Sequence, residues 1–251
     1  MVDKKSIVSY GSEEEQGLRN EMVDLLKRCP IPSEQVLSNL GLFLNSKNLS
    51  RILFMDYVYR KSIEVPGVVF EFGTRWGQNV ALFSALRGIY EPFNRHKKIV
   101  AFDTFEGFPS VDEKDGDSPM MSPGMLTLTE GYENYLEEVV SNIERDNPLS
   151  HLKKFELRKG DATEQIDSYL KENPETIISL AYFDFDLYVP TKKCLESIKG
   201  RLTRGSVVCF DELNDPDSPG ETLALMEVFG LENIKLKRFP YASRVSYFIV
   251  E

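Results

Sequence analysis

The sequence predicts an α/β fold, an open and mostly parallel sheet with helices on both faces that ends in one antiparallel strand. Three observations carry this reading. From residue 67 onward, short apolar runs alternate with helical stretches. Nearly every run ends at an acid or a glycine turn. After the last helix the alternation stops, and two strands follow, joined only by "YASR". Strands alternating with helices imply a parallel sheet covered on both faces. The closing hairpin adds the antiparallel strand.

The elements follow in order. Leu18, Met22, Leu25 and Leu26 recur at helical spacing before the stop "CPIP". A second helix starts at Ser33 and carries Val36, Leu40 and Phe43; a third lies in "SRILFMDYVYRKSI". These predict an N-terminal helical layer over 1–66, before a sheet domain over 67–251. The strands are "GVVFEFG", "KKIVAFD", "KKFELRKGD", "TIISLAYFD" and "GSVVCFDE", then the hairpin "NIKLKRFP" and "VSYFIVE". Residues 106–128, "EGFPSVDEKDGDSPMMSPGMLTL", fit no element. A loop of this length predicts a lid, mobile without ligand and carrying Met and Phe contacts.

Composition narrows the function. The 251 residues are 41% hydrophobic, enough for one large core, and the net charge of −10 disfavours a nucleic acid or another polyanion as partner. Cys29, Cys194 and Cys209 form no disulfide framework and no zinc spacing, which suits a reducing cytoplasm. "MVDKKSIVSYGSEEEQ" has no apolar core for a signal peptide, and no apolar run is long enough to span a membrane.

The chemistry lies at the strand ends. Glu71 precedes Gly73 on the first strand; Asp103, Asp161 and Asp184 end the next three; Asp211 and Glu212 end the fifth. In open parallel sheets the ligand crevice lies outside these carboxyl ends, so the acids converge on one crevice. The turn "EFGTRWGQN" has Gly73 and Gly77 for a tight turn and close ligand approach, but Arg75 replaces the middle glycine of a dinucleotide motif. Asp103, at the tip of the second strand, can accept from both ribose hydroxyls. A nucleoside lacking a pyrophosphate fits this combination, and S-adenosylmethionine is one. In "AYFDFDLYVP", two carboxylates end a buried strand, a costly arrangement unless a cation or donors meet them.

"EFGTRWGQN", "AFDTFEGFP", "FDFDLYVPT" and "CFDE" together resemble the macrocin-type sugar O-methyltransferases of macrolide, aminocoumarin and enediyne biosynthesis. "SNLGLFLNSKNLSRILFMDYVYR" is most similar to the calicheamicin branch. The resemblance implies the class I methyltransferase fold, with strand order 3-2-1-4-5-7-6. It places Glu71, Gly73, Thr74, Arg75 and Gly77 at the methionine part of S-adenosylmethionine. Asp103 falls at the ribose, with Thr104 and Phe105 flanking the nucleoside, and Asp161 and Ala162 at the adenine side. It makes Asp184 both general base and ligand of Mg²⁺ or Mn²⁺, with Asp211 and Glu212 completing the site. The family's second acid of this pair is Asp, so ligation by the longer Glu212 is left open. A hard cation holding vicinal hydroxyls lowers the pKa of the reacting one, and a carboxylate then takes its proton.

Other residues draw plainer readings. Asp186 supports its neighbours or caps the helix that follows. His96 and His151 are surface residues in charged linkers, and Trp76 packs beside the glycine turn. Tyr10 is placed near the site by nothing in the sequence. An NAD(P)-linked enzyme and a non-catalytic nucleoside-binding protein stay open as rivals. So does a catechol-like acceptor, and with a sugar, the choice between nucleotide-linked sugar and finished glycoside. The aromatics of "LFMDYVYR" suggest packing between subunits of a homo-oligomer.

Overall fold

The structure is a computed structural model and describes residues 11–242 and 244–251; Tyr10 lies outside them. Helix α1, Glu13–Lys27, opens with a capping box in which Ser12 and Glu15 exchange backbone and side-chain hydrogen bonds. Helix α2, Ser33–Val36, runs into a 3₁₀ turn over Leu37–Phe43. No residue of these segments is buried. Helix α3, Ser46–Ser62, is different. Asn45 caps it, and Phe54, Met55, Val58 and Tyr59 are fully buried against the sheet. Of the three predicted N-terminal helices, only α3 joins the core, so the aromatics of "LFMDYVYR", expected between subunits, pack within the protomer instead.

Seven strands form one sheet: β1 Val68–Phe72, β2 Ile99–Asp103, β3 Phe155–Lys159, β4 Ile178–Phe183, β5 Leu202–Phe210, β6 Lys237–Arg238 and β7 Ser246–Ile249. Their order is β3-β2-β1-β4-β5-β7-β6, with β7 antiparallel to β5 and to β6. This is the predicted class I methyltransferase order. The hairpin strand β6 shrinks to a two-residue pair, because its partner β7 is itself short.

One face of the sheet carries α6 Ala162–Glu172, α7 Tyr188–Lys199 and α8 Gly220–Phe229; the other carries α3, α4 Gln78–Tyr90 and α5 Tyr132–Asp146. Buried Arg87 on α4 pairs with buried Glu144 on α5, so each charge has its counter-charge.

Four phenylalanines sit at or next to the ends of four neighbouring strands. Phe72 is level with Phe102 and Phe183, and Phe183 with Phe210. Their rings stack in a row at centroid distances of 5.0, 4.6 and 5.2 Å. The next residues are Gly73, Asp103, Asp184 and Asp211. Successive side chains alternate between faces, so these acids point away from the phenylalanine row, toward α3.

Residues 106–128 close on themselves. Phe108 N donates to Met125 O at 2.9 Å, and Gly124 N donates to Phe108 O at 2.8 Å. Phe108, Met125 and Leu187 pack together. A 3₁₀ turn, Glu113–Asp115, brings Asp115 to the start of α7, where its carboxylate accepts from Tyr188 N at 2.5 Å.

Phe183 is the central test of the ring row. Phe183→Ala removes a ring packed on two others and should cost about 3–5 kcal/mol, read from the denaturation midpoint. A loss below about 1 kcal/mol would mean the row does not hold the strand ends.

Candidate active site

A crevice of about 880 Å³ opens at the carboxyl ends of the strands. Its cofactor half is built by the turn after β1, the tip of β2 and the start of α6. Gly73 sits at φ +88°, and a Cβ there would lie 2.0 Å from the Asp184 carbonyl oxygen. Glycine is needed so that the ends of β1 and β4 can touch. Gly77, at φ +78°, leads into α4, and a Cβ would strike Leu136.

Asp103 is held from both sides. One carboxylate oxygen accepts from Arg75 N at 2.7 Å and the other from Phe105 N at 2.6 Å. Burial raises its pKa, and these backbone donors oppose the rise. Thr74 adds a third backbone donor; a carboxylate offers about four lone-pair sites, so the residue braces two turns and keeps acceptor capacity toward a diol. Thr74, Arg75 and Thr104 line the same half, Thr104 with its hydroxyl on Gly107 O at 2.9 Å. Asp161 and Ala162 line it at α6, where Asp161 caps the helix through Thr163 N at 2.8 Å.

Two predicted residues lie off the crevice surface. Phe105 is buried in the core on the α3 side of the sheet. Glu71 is fully buried beneath the glycine turn, and neither of its oxygens meets a donor at bonding geometry. Burial first, then Asp184 and Asp103, hold it well above the ordinary carboxylate range, with Asn79 a partial offset.

The other half is acidic. Asp184, Asp211 and Glu212 each bring an oxygen within 4.8 Å of the others. Burial pushes Asp184 well up, repulsion from Asp211 adds to this, and Arg51 opposes it. Arg51, on α3, is the residue sequence reasoning missed. Its Nη1 donates to Asp211 at 2.5 Å and its Nη2 to Asp184 at 2.8 Å. Tyr182 also donates to Asp211, at 2.5 Å. Arg244, between β6 and β7, pairs with Glu212 at 2.6 Å and with Asp215 at 3.1 Å. Two arginines, one from α3 and one from the β6–β7 connection, therefore meet the acids.

Asp186 does not cap α7. The capping position is Leu187, and Asp115 supplies the acceptor instead. Asp186 sits at φ +61° and faces Glu212. Burial pushes it up to about 7; burial and Asp186 push Glu212 up as well. Behind them, buried Glu221 accepts from Phe185 N at 2.8 Å. Trp76 packs edge-on against Tyr132, as its place beside the turn suggested, and also lines the crevice. His96 and His151 are exposed.

No family model and no curated protein matches the sequence. Solved structures do. The calicheamicin methyltransferase CalS11 is 42% identical over 98% of this chain and 96% of its own, with a TM-score of 0.93. An apo structure of CalS11, described as the TDP-rhamnose 3'-O-methyltransferase of calicheamicin biosynthesis, is 40% identical over 98% of both chains, with a TM-score of 0.85. The chain belongs to the calicheamicin branch of the sugar O-methyltransferases. It is an S-adenosylmethionine-dependent O-methyltransferase. The O-methyltransferase NovP shares the fold at 18% identity, with a TM-score of 0.58 over 80% of this chain.

The donor sets of the crevice fit their expected occupants. The cofactor half offers a glycine turn and the remaining acceptor capacity of Asp103. The acidic half offers only oxygen, with no His or Cys among its grouped ligands, which favours Mg²⁺ or Mn²⁺ over zinc.

The buried acids also set a pH dependence. Glu221 lies well above its ordinary value of 4.5 because of burial, then Glu212 and Asp184. A raised acid pKa means the stability contribution is present below the unfolded value and lost as pH rises through the folded one. Glu221→Gln keeps an acceptor for Phe185 N and removes this loss. The variant should melt close to wild type at pH 5 and higher than wild type at pH 8, without added cation. An equal deficit at both values would show that Glu221 is not a titrating liability.

Proposed function

We propose that the chain methylates a hydroxyl of a nucleotide-linked sugar, assisted by a divalent cation at Asp184, Asp211 and one oxygen of Glu212. The observation that carries this reading is the pairing at the acceptor end of the crevice: clustered carboxylates, which suit a hard cation, beside two accessible guanidinium groups, which suit an anionic carrier. Its support outside the chain is the description of CalS11 as acting on TDP-rhamnose.

The cofactor supplies an electrophilic methyl group, and the cation a Lewis acid beside the acceptor hydroxyls. The rest falls to the protein. The turn with Gly73, Thr74, Arg75 and Gly77 seats the methionine end, with Glu71 buried beneath it. Asp103 takes the ribose, with Thr104 beside the nucleoside and Phe105 packed behind that turn in the core, and Asp161 and Ala162 border the adenine. Asp184 accepts the proton of the reacting hydroxyl. Residues 106–128 act as the lid. The neck at Phe108 and Met125 and the anchor at Asp115 fix its base, and Met120 and Met121, which line the crevice, exclude water.

Asp184→Asn should bind S-adenosylhomocysteine within about twofold of wild type but lose on the order of 10²–10⁴ in turnover, the range for a lost general base. A chelator should abolish methyl transfer to TDP-rhamnose, and Mg²⁺ or Mn²⁺ should restore it. Undiminished turnover in chelator discards the cation. A fully active Asp184→Asn discards the base.

The enzyme works in the cytoplasm as a homo-oligomer, joined through its first helices. The cytoplasmic reading is supported by the free thiols Cys29, Cys194 and Cys209; among the described residues, no helix is long and apolar enough to cross a membrane. For the oligomer, Leu18, Met22, Leu25 and Leu26 form a stripe on α1 that is 40–59% exposed, and the helix buries no residue in the protomer. A helix of 15 residues is marginal alone in water, so a second copy is the natural cover. Met22→Glu with Leu25→Glu should lower the mass seen by light scattering to that of a protomer. Unchanged mass at low micromolar concentration would place the interface elsewhere.

A further inference from the structure

Arg51 occupies ground that a cation at Asp184 and Asp211 would need. Its fork spends one oxygen of each acid, and the Asp211 oxygen it uses also receives the Tyr182 hydroxyl. A Mg²⁺ or Mn²⁺ ion binds carboxylate oxygen at about 2.0–2.2 Å. Such an ion on the same oxygens would face the guanidinium across about 4 Å with a repulsion that grows with its double charge. On those oxygens the two cations compete for the acid pair.

Arg51 has somewhere to go. It projects from α3, its side chain is 30% exposed, and it lines the crevice with Lys47 one turn earlier on the same helix. Apart from the two acids its close contact is the ring face of Tyr182, 5.9 Å away. A freed guanidinium at a crevice wall is a forked donor, and its geometry matches a phosphate group.

The geometry points to Arg51 as an exchangeable counter-ion. It holds Asp184 and Asp211 until a divalent cation takes them, and then transfers its fork to the diphosphate of the acceptor. The cation and the anionic acceptor therefore favour each other's binding, and Arg51 is the positioning residue through which they do so. This rests on the reading that the acidic half takes a divalent cation and that the acceptor is nucleotide-linked.

The test is Mn²⁺ affinity, followed by electron paramagnetic resonance, with and without TDP-rhamnose. In wild type, the acceptor should tighten Mn²⁺ about tenfold, within the usual range of coupling between sites. Arg51→Met should bind Mn²⁺ about tenfold more tightly than wild type without acceptor, since the competitor is gone, and the acceptor should add nothing further. Arg51→Lys keeps the charge without the fork and should fall between. It also keeps the test decisive if Arg51→Met folds poorly.

Equal or weaker Mn²⁺ binding in both Arg51 variants overturns the exchange and leaves the cation site standing. Acceptor tightening that survives in Arg51→Met overturns the transfer to the diphosphate. Failure of every protein, wild type included, to bind Mn²⁺ overturns the cation reading and this inference together.

Discussion

Phe102, Phe72, Phe183 and Phe210 stack ring against ring across β2, β1, β4 and β5. Gly73, Asp103, Asp184 and Asp211 each lie one residue further along the chain. A strand that slips by one residue turns its whole side-chain set to the other face. Here a slip would send Asp103, Asp184 or Asp211 into the apolar layer of α6, α7 and α8. The ring row makes that costly, because each ring is fully buried and packs on its neighbours. A hydrophobic contact thus decides where the charged groups point.

The same alternation sends the acids toward α3, and there the structure balances them. Asp184 and Asp211 meet Arg51, while Glu212 meets Arg244. Burial favours the neutral forms of Asp186, Glu212 and Glu221. This explains why α3 is inside the core while α1 and α2 are not: its apolar face covers the sheet, and its Arg51 neutralises the strand ends.

Much of this was legible in the sequence. Parallel strands buried on both faces read as continuous apolar runs, so β1, β2, β4 and β5 and their terminal acids stood out. The antiparallel edge followed from a connection too short for a crossover helix. Arg51 was not legible. It lies 133 residues from Asp184 in the chain, on a helix whose sequence shows only an ordinary basic residue among apolar ones. Its signal was indirect: two buried carboxylates call for a cation, but nothing local says which. Of the two readings of Asp186, the cap fails for a related reason, while its place against Glu212 agrees with a supporting role. An Asp two residues before a helix looks like a cap, yet the acceptor for Tyr188 N comes from Asp115, on a segment with no periodicity to interpret.

That borrowed cap ties the lid to the chemistry. Asp115 reaches α7 at the point where the loop carrying Asp184 and Asp186 ends. Gly220 opens α8 at the same place. A Cβ at Gly220 would lie 2.5 Å from the Asp115 carboxylate, 2.6 Å from Tyr188 N and 3.0 Å from the Asp186 carbonyl. The lid segment, the acid loop and the start of α8 therefore meet with no room for a side chain. α8 also carries Glu221, which holds Phe185 N between the two aspartates. Displacing the base of the lid would strip Tyr188 N of its acceptor and disturb the acid loop. On the lid reading proposed above, opening would therefore fall beyond Asp115, where Met120 and Met121 border the crevice, and the carboxylates would keep the positions that the phenylalanine row gives them.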